Sequence, residues 1–232
     1  MYKEMKTTRR WGIAAGVILA SVAVLYILLY MYEKPGGWSD RRMSQSLGLK
    51  QTLQIPLGGS PEEAVRLFRE SDSMTVVHEE TVGRGELVFL TRSGQQEGGD
   101  LQVEYVRKTW LGWKWVWGAG YGQGEAPSPA AMNYMRVPEI EQVSTPFPMV
   151  FGEVLDPAIK QIVVQQKEAG TDKSEAKLIT AASGRMIWFA FQPATAGVPF
   201  EIEGLDQAGK IIATKVITDV RGSGTIVPPV NR

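Results

Sequence analysis

The stretch Trp11–Tyr32, WGIAAGVILASVAVLYILLYMY, limits what this chain can become more than any other. Its 22 residues include no charge and no proline, and Ser21 is the one small polar side chain inside the run. As a helix rising about 1.5 Å per residue it would reach about 33 Å, enough to cross a hydrocarbon layer of about 30 Å. A helix that is apolar all round has no face for water and does not belong on the surface of a soluble domain. The expectation is a single transmembrane helix that anchors the chain. One span without a charged residue offers no pathway for a solute, which excludes a pump or channel role for it alone.

The flanks set the direction. Residues 1–10 carry Lys3, Lys6, Arg9 and Arg10 against Glu4, and a short basic tail is retained on the cytoplasmic side. Lys34, Arg41 and Arg42 lie beyond the span, so the charge asymmetry is incomplete, but the short tail favours an N-terminus inside and the remaining domains outside. The apolar run is longer than a secretory signal core, and its exit, Tyr30-Met31-Tyr32-Glu33-Lys34-Pro35, lacks a small-x-small cleavage pair. Ala20-Ser21-Val22-Ala23 has that chemistry but lies inside the run, so an uncleaved signal anchor at the cell membrane is expected. Trp11 at one end and Tyr26, Tyr30 and Tyr32 near the other resemble interfacial aromatic belts. Gly12, Gly16 and Ala20 fall four apart on one face, a candidate surface for helix pairing and a homodimer.

The rest of the chain reads as globular. Hydrophobic residues make up 44% and charged residues 22% of the sequence. Formal charge is +2 over residues 33–55, −4 over 56–125 and −1 over 126–232. A mildly acidic pair of domains argues against nucleic acid as a partner, because phosphate binding needs a basic field. There is no cysteine, which excludes disulfides, thiolate metal sites, a cysteine nucleophile and a lipid-modified cysteine.

Residues 33–59 are expected to form a linker, broken from the anchor at Pro35-Gly36-Gly37, with a short helix over Trp38–Lys50 as the alternative. Ser60-Pro61-Glu62-Glu63 is a capping box with proline in the first turn. It predicts a helix whose stripe is Ala64, Leu67 and Phe68 and whose end lies near Glu70–Ser73. Strands are predicted at Met74–Glu80, Glu86–Arg92, Leu101–Lys108 and Trp113–Trp117, giving an α+β domain over 60–122 made of one helix and an antiparallel meander. The proline-rich 123–146 is expected as a second linker. Further strands follow at Met149–Val154, Ile159–Gln165, Ala176–Thr180, Met186–Phe191, Phe200–Gly204 and Lys210–Ile217. They predict an all-β, Ig-like sandwich over 147–219 with Trp188 in its core, then a flexible tail over 220–232.

Few residues carry chemistry. His78 is the only histidine; alternation leaves Glu80, not Glu79, on its face, and a lone histidine does not build a usual catalytic zinc site. No G-x-S-x-G or P-loop is present, and Gly118–Gly124 fits no dinucleotide fingerprint and reads as a flexible exit from a strand. Glu201 and Glu203 share a strand face and read as a solvated edge. No catalytic, cofactor or metal site is assigned. The densest feature is Trp110, Trp113, Trp115 and Trp117: a candidate binding platform for glycan, peptide or lipid headgroup, or the core of a small sheet. Core is expected for at least two of them, with Trp110 at a hairpin tip as the exposed one.

The segment Leu101–Gly120, LQVEYVRKTWLGWKWVWGAG, after ELVFLTR, resembles a pattern in small membrane-anchored proteins and lipoproteins of Bacillus-like Gram-positive bacteria. RMIWFAF and FEIEGLDQAGKII are similar to a companion domain in such proteins, so the resemblance covers about residues 60–218. These are aromatic strand patterns and not sites. The family has no assigned activity, so the resemblance implies a Gram-positive surface location and nothing catalytic. The functional expectation is a non-enzymatic binding or cell-envelope assembly role toward a protein or cell-wall component. A membrane-tethered envelope hydrolase and an envelope-sensing regulator acting through helix pairing are the alternatives.

Overall fold

The computed structural model describes residues 2–92, 100–122, 129–140, 143–166 and 173–229. Helix α1, Tyr2–Glu33, is 32 residues long and contains the whole apolar run. It is the one helix among the described residues long and apolar enough to cross a membrane, with a mean hydropathy of 2.5, and none of that apolar stretch is buried against the protein. Gly36, at φ +71°, opens the turn after it, a conformation a side chain would strain. The chain then reverses into a second helix, α2, Trp38–Ser46.

The expected first linker therefore holds a helix and is packed. Asp40, Met43 and Ser44 of α2 are buried, and Ile55 joins the apolar core. The Ser44 hydroxyl donates to Asp40 O at 2.7 Å and accepts from Leu53 N–H at 2.9 Å, stitching residues 53–55 to α2.

Next come β1, Leu57–Gly58, and α3, Pro61–Arg69. Half of the capping box forms as its residue types require, Ser60 Oγ accepting from Glu63 N–H, while Glu63 Oε2 reaches one residue further back and accepts from Gly59 N–H. Glu70 closes α3 in the left-handed region. The meander follows as β2 Met74–Val82, β3 Gly85–Arg92, β4 Asp100–Thr109 and β5 Gly112–Gly122. Together with β1 it forms one antiparallel sheet in the order β1-β5-β4-β3-β2. Helix α3 packs on it through Phe68, which stacks on Trp115 at 3.7 Å between ring centroids.

The remaining strands are β6 Met132–Val137, β7 Met149–Val154, β8 Gln161–Gln166, β9 Lys173–Glu175, β10 Lys177–Thr180, β11 Met186–Phe191, β12 Phe200–Leu205, β13 Ile211–Ile217 and β14 Ser223–Ile226. They form two sheets, β10-β11-β7-β6-β14 and β13-β12-β8-β9. Three of these strands lie where none was expected: β6 inside the expected linker 123–146, β9 just before the expected strand Ala176–Thr180, and β14 inside the expected flexible tail 220–232. Strand β6 pairs with both β7 and β14, so residues 132–137 of the expected linker form an interior strand of a sheet.

That middle sheet is buried on both faces. In β7 and β11, Met149, Phe151, Ile187 and Phe189 join the core shared with the first sheet, while Val150, Val154, Trp188 and Ala190 join the core facing β8, β12 and β13. Phe151 meets Phe89 and Tyr121 of the first sheet, with centroids at 6.3 and 6.0 Å. The two expected domains thus share one continuous apolar core. Aromatic rings bridge the two sheets, and each removes a large apolar area from water.

At the rim of this contact Lys177 of β10 donates to both Glu80 oxygens of β2 at 2.7 Å. Burial pushes the Glu80 carboxyl up, but hydrogen bonds from Lys177 and His78 outweigh it and hold the group below the usual carboxylate range. A carboxyl depressed in the folded state stabilises above its unfolded pKa, and that contribution is lost as pH falls through the folded value. Because Lys177 is half-exposed, Lys177→Ala is expected to cost no more than about 1 kcal/mol at neutral pH in urea melts. The difference from the parent should close as pH falls through the depressed folded value of Glu80, and a penalty that persists once that carboxyl is protonated would show that the pair is not its source.

Candidate functional site

Two regions of the first sheet combine charge, concavity and unusual side chains. One lies where α1 enters the globular part. Arg107 of β4 grips the Glu33 carboxylate with both guanidinium nitrogens, Nη1 at 2.8 Å, and Nη2 also donates to Ser39 Oγ at 2.9 Å. Opposite it in the ladder, Lys114 of β5 donates Nζ to Glu33 O at 2.8 Å and pairs with the Asp40 carboxylate. The other Asp40 oxygen accepts Gly36 N–H at 2.8 Å and Ile55 N–H at 3.0 Å. Lys114 is 1% and Asp40 0% exposed, so this ion pair is removed from water. A cavity of about 410 Å³ beside it is lined by Tyr32, Arg42, Arg107 and Val116.

The second region lies on the α3 side of the sheet, toward its other end. Glu104 of β4 is buried. Arg69, from the last turn of α3, donates to it through Nε at 2.9 Å and Nη2 at 3.0 Å, and the Trp115 indole N–H donates at 2.6 Å. Burial raises the Glu104 pKa against the pull of Arg69 and the Trp115 hydrogen bond. Gly118 sits directly across from Glu104, and a Cβ there would overlap the carboxylate. Gly120 stands in the same relation to Gln102. The glycines expected as a flexible exit are therefore, as far as Gly122, part of β5, and they flatten the floor of a groove of about 670 Å³. Its polar rim includes Arg69, Ser71, Ser73 and Arg92. Residues 123 and 124 lie outside the described residues.

The four tryptophans do not share one exposed face. Trp115 is 5% exposed and belongs to the core, and Trp113 and Trp117 are partly buried against it. Trp110, at the β4–β5 turn, is 85% exposed. The strand has no polar back either, because Lys114 and Val116 are also buried. A register shift between Tyr105 and Val106, opposite Val116, breaks the alternation of β5 between Trp115 and Trp117. Gly16 and Ala20 lie exposed on α1, and Gly12 lies within the same helix.

His78 Nε2 lies 3.2 Å from Glu80 Oε2, the carboxylate also held by Lys177, and its ring stands 5.9 Å from Phe89. Glu201 accepts from the Thr214 hydroxyl at 3.1 Å. Among the described residues no three histidine or carboxylate side chains converge to hold a metal ion. Sequence reasoning missed Asp40, Lys114, Glu104 and Arg107. The one local signal was a lysine and a glutamate among strand residues that then prove to be core. Comparison with protein-family models, curated proteins and solved structures finds no match.

Proposed function

We propose that the chain is a single-pass membrane protein, N-terminus cytoplasmic, that presents its β-rich body outside the cell in a non-enzymatic binding or envelope-assembly role. One observation carries the reading: an apolar helix with no protein packed on it ends in Glu33, and Glu33 is ion-paired into the folded body. Such a helix needs a lipid environment, and the body is built to hold on to it. The groove between α3 and Gly118–Gly120 is the surface for the binding role. It opens at the end of the sheet away from the anchor contact and has a polar rim suited to an extended polar ligand such as a peptide or glycan strand.

The Ig-like reading of the C-terminal part is supported by strand order. β10-β11-β7-β6 against β13-β12-β8 repeats the D-E-B-A and G-F-C arrangement of such sandwiches. A Gram-positive surface location is carried by the aromatic strand resemblance. Neither the hydrolase nor the regulator alternative has a particular observation in its favour.

The chain has no cysteine, so single introduced cysteines report topology cleanly. Ser183→Cys, in an exposed turn, is expected to react with a membrane-impermeant maleimide in intact cells. Thr7→Cys should react only after permeabilisation. The opposite pattern would refute the orientation, and release of the chain from washed membranes would refute the anchor.

A further inference from the structure

The β4–β5 hairpin is organised about its two ends. At one, Asp100 pairs with Gly122 and its carbonyl accepts from Arg185 of the middle sheet, at 3.0 Å. At the other, Arg107 pairs with Lys114, and both grip Glu33, the last residue of α1. Two residue pairs further on, at about 3.3 Å per residue, the turn Thr109–Gly112 ends the ladder. The tip thus projects from the end of the sheet where the apolar helix arrives, and away from the bulk of the protein.

What the tip carries is unusual for a surface facing only water. Trp110 is the most exposed large hydrophobic residue described, more so than Trp11 of α1 at 72%. Lys108 stands over the Trp113 ring at 5.4 Å and is itself exposed. Arg84, in the adjoining β2–β3 turn, is exposed too, and its carbonyl accepts Lys108 N–H at 3.1 Å. Across the anchor contact, α2 exposes Trp38, Arg41 and Arg42. Glu33 and Asp40 are both buried in ion pairs, and Glu86, opposite Val106 in the sheet, is the half-buried third acid of this region. Exposed indoles ringed by exposed cations, beside the end of an apolar helix, have the composition of a bilayer interface. Tryptophan settles at headgroup depth, and lysine and arginine meet lipid phosphates.

We propose that the Trp110 hairpin tip, with Lys108 and Arg84, is a second membrane contact that rests on the headgroups of the same bilayer α1 crosses, in a leaflet carrying anionic lipid. This rests on the anchor reading. The Arg107 ion pair and the Lys114 hydrogen bond at Glu33 supply what a second contact needs, because they hold the hairpin at a set height above the end of the helix. The body is thereby seated on the membrane, with the groove at Gly118–Gly120 turned away from it.

The test uses the full chain in bilayer nanodiscs containing phosphatidylglycerol, with a fluorophore on single cysteines and spin-labelled lipids as quenchers. Leu111→Cys leaves Trp110 in place and reports the tip; Ser183→Cys reports the opposite end; Leu19→Cys reports the anchor. Strong quenching by headgroup-level spin labels at position 111 and by deep spin labels at 19, with none at 183, is the expected result. Quenching at 19 with position 111 as unquenched as 183 overturns the second contact and leaves the anchor standing. No quenching at 19 overturns both. Arg84→Ala combined with Lys108→Ala should lower quenching at 111 and leave 19 unchanged, and equal quenching at 111 overturns the role given to the two cations.

Discussion

Replacing Lys114 by methionine is expected to destabilise the folded body by about 3–5 kcal/mol, the cost of leaving a buried carboxylate without its counter-ion. Asp40 would keep its two backbone N–H donors and lose the ammonium that neutralises it. Methionine fills the lysine stem's volume, so a lost cavity contact does not account for the effect. The loss should reach beyond α2, because Lys114 also holds Glu33 O, and Ile55 hangs on Asp40. Urea melts of the full chain in detergent, followed by tryptophan emission, measure it. Asp40→Asn together with Lys114→Met should recover a substantial part of the loss, as expected when the penalty is an unpaired charge. A single-variant loss below about 1 kcal/mol would mean that the Asp40–Lys114 pair does not hold this contact together.

The second large effect is expected between the two halves. Arg185 donates to Glu153 through Nε and Nη2, both at 2.8 Å, and through Nη2 to Asp100 O at 3.0 Å. Both side chains are nearly inaccessible. The Glu153 hydrogen bond raises the Arg185 pKa against its burial, so the guanidinium stays charged. Tyr121 lies against this cluster, its hydroxyl pKa pushed up by burial and by Glu153. Arg185→Met is expected to cost about 3–5 kcal/mol, and the double variant with Glu153→Gln to cost less than Arg185→Met alone. Hydrogen exchange should locate the loosening at Asp100 and Glu153, on both sides of the contact. Exchange confined to β11 would show that Arg185 does not join the sheets.

Much of the secondary structure was legible in the chain. Ser60, Pro61 and Glu63 cap a helix through groups three residues apart, and Met149–Val154 and Met186–Phe191 declare themselves as continuous apolar runs. β6 was not legible. Its residues, MNYMRV, face a packed layer on each side, so they do not alternate, and Arg136 is buried among neutral acceptors. Burial lowers its pKa. α2 was undervalued because its inward face carries Asp40 and Ser44 beside Met43, a polar set that looks solvated until its partners are known.

Those partners are distant. Glu33 and Arg107 are 74 positions apart, and Lys114 and Glu33 are 81. No window of the sequence pairs them. What the amino-acid sequence determined by itself is local: a 22-residue apolar helix that water will not accept, a capped helix, and strands whose period sets their faces. What the tertiary structure decided is how these are joined. It sandwiched one sheet between two others, made a core residue of Trp115 and left Trp110 outside, and tied the apolar helix to the body through Asp40, Lys114 and Arg107. The physical reason is that a charge enters a dry interior only when its partner arrives with it, and the fold alone brings the two together.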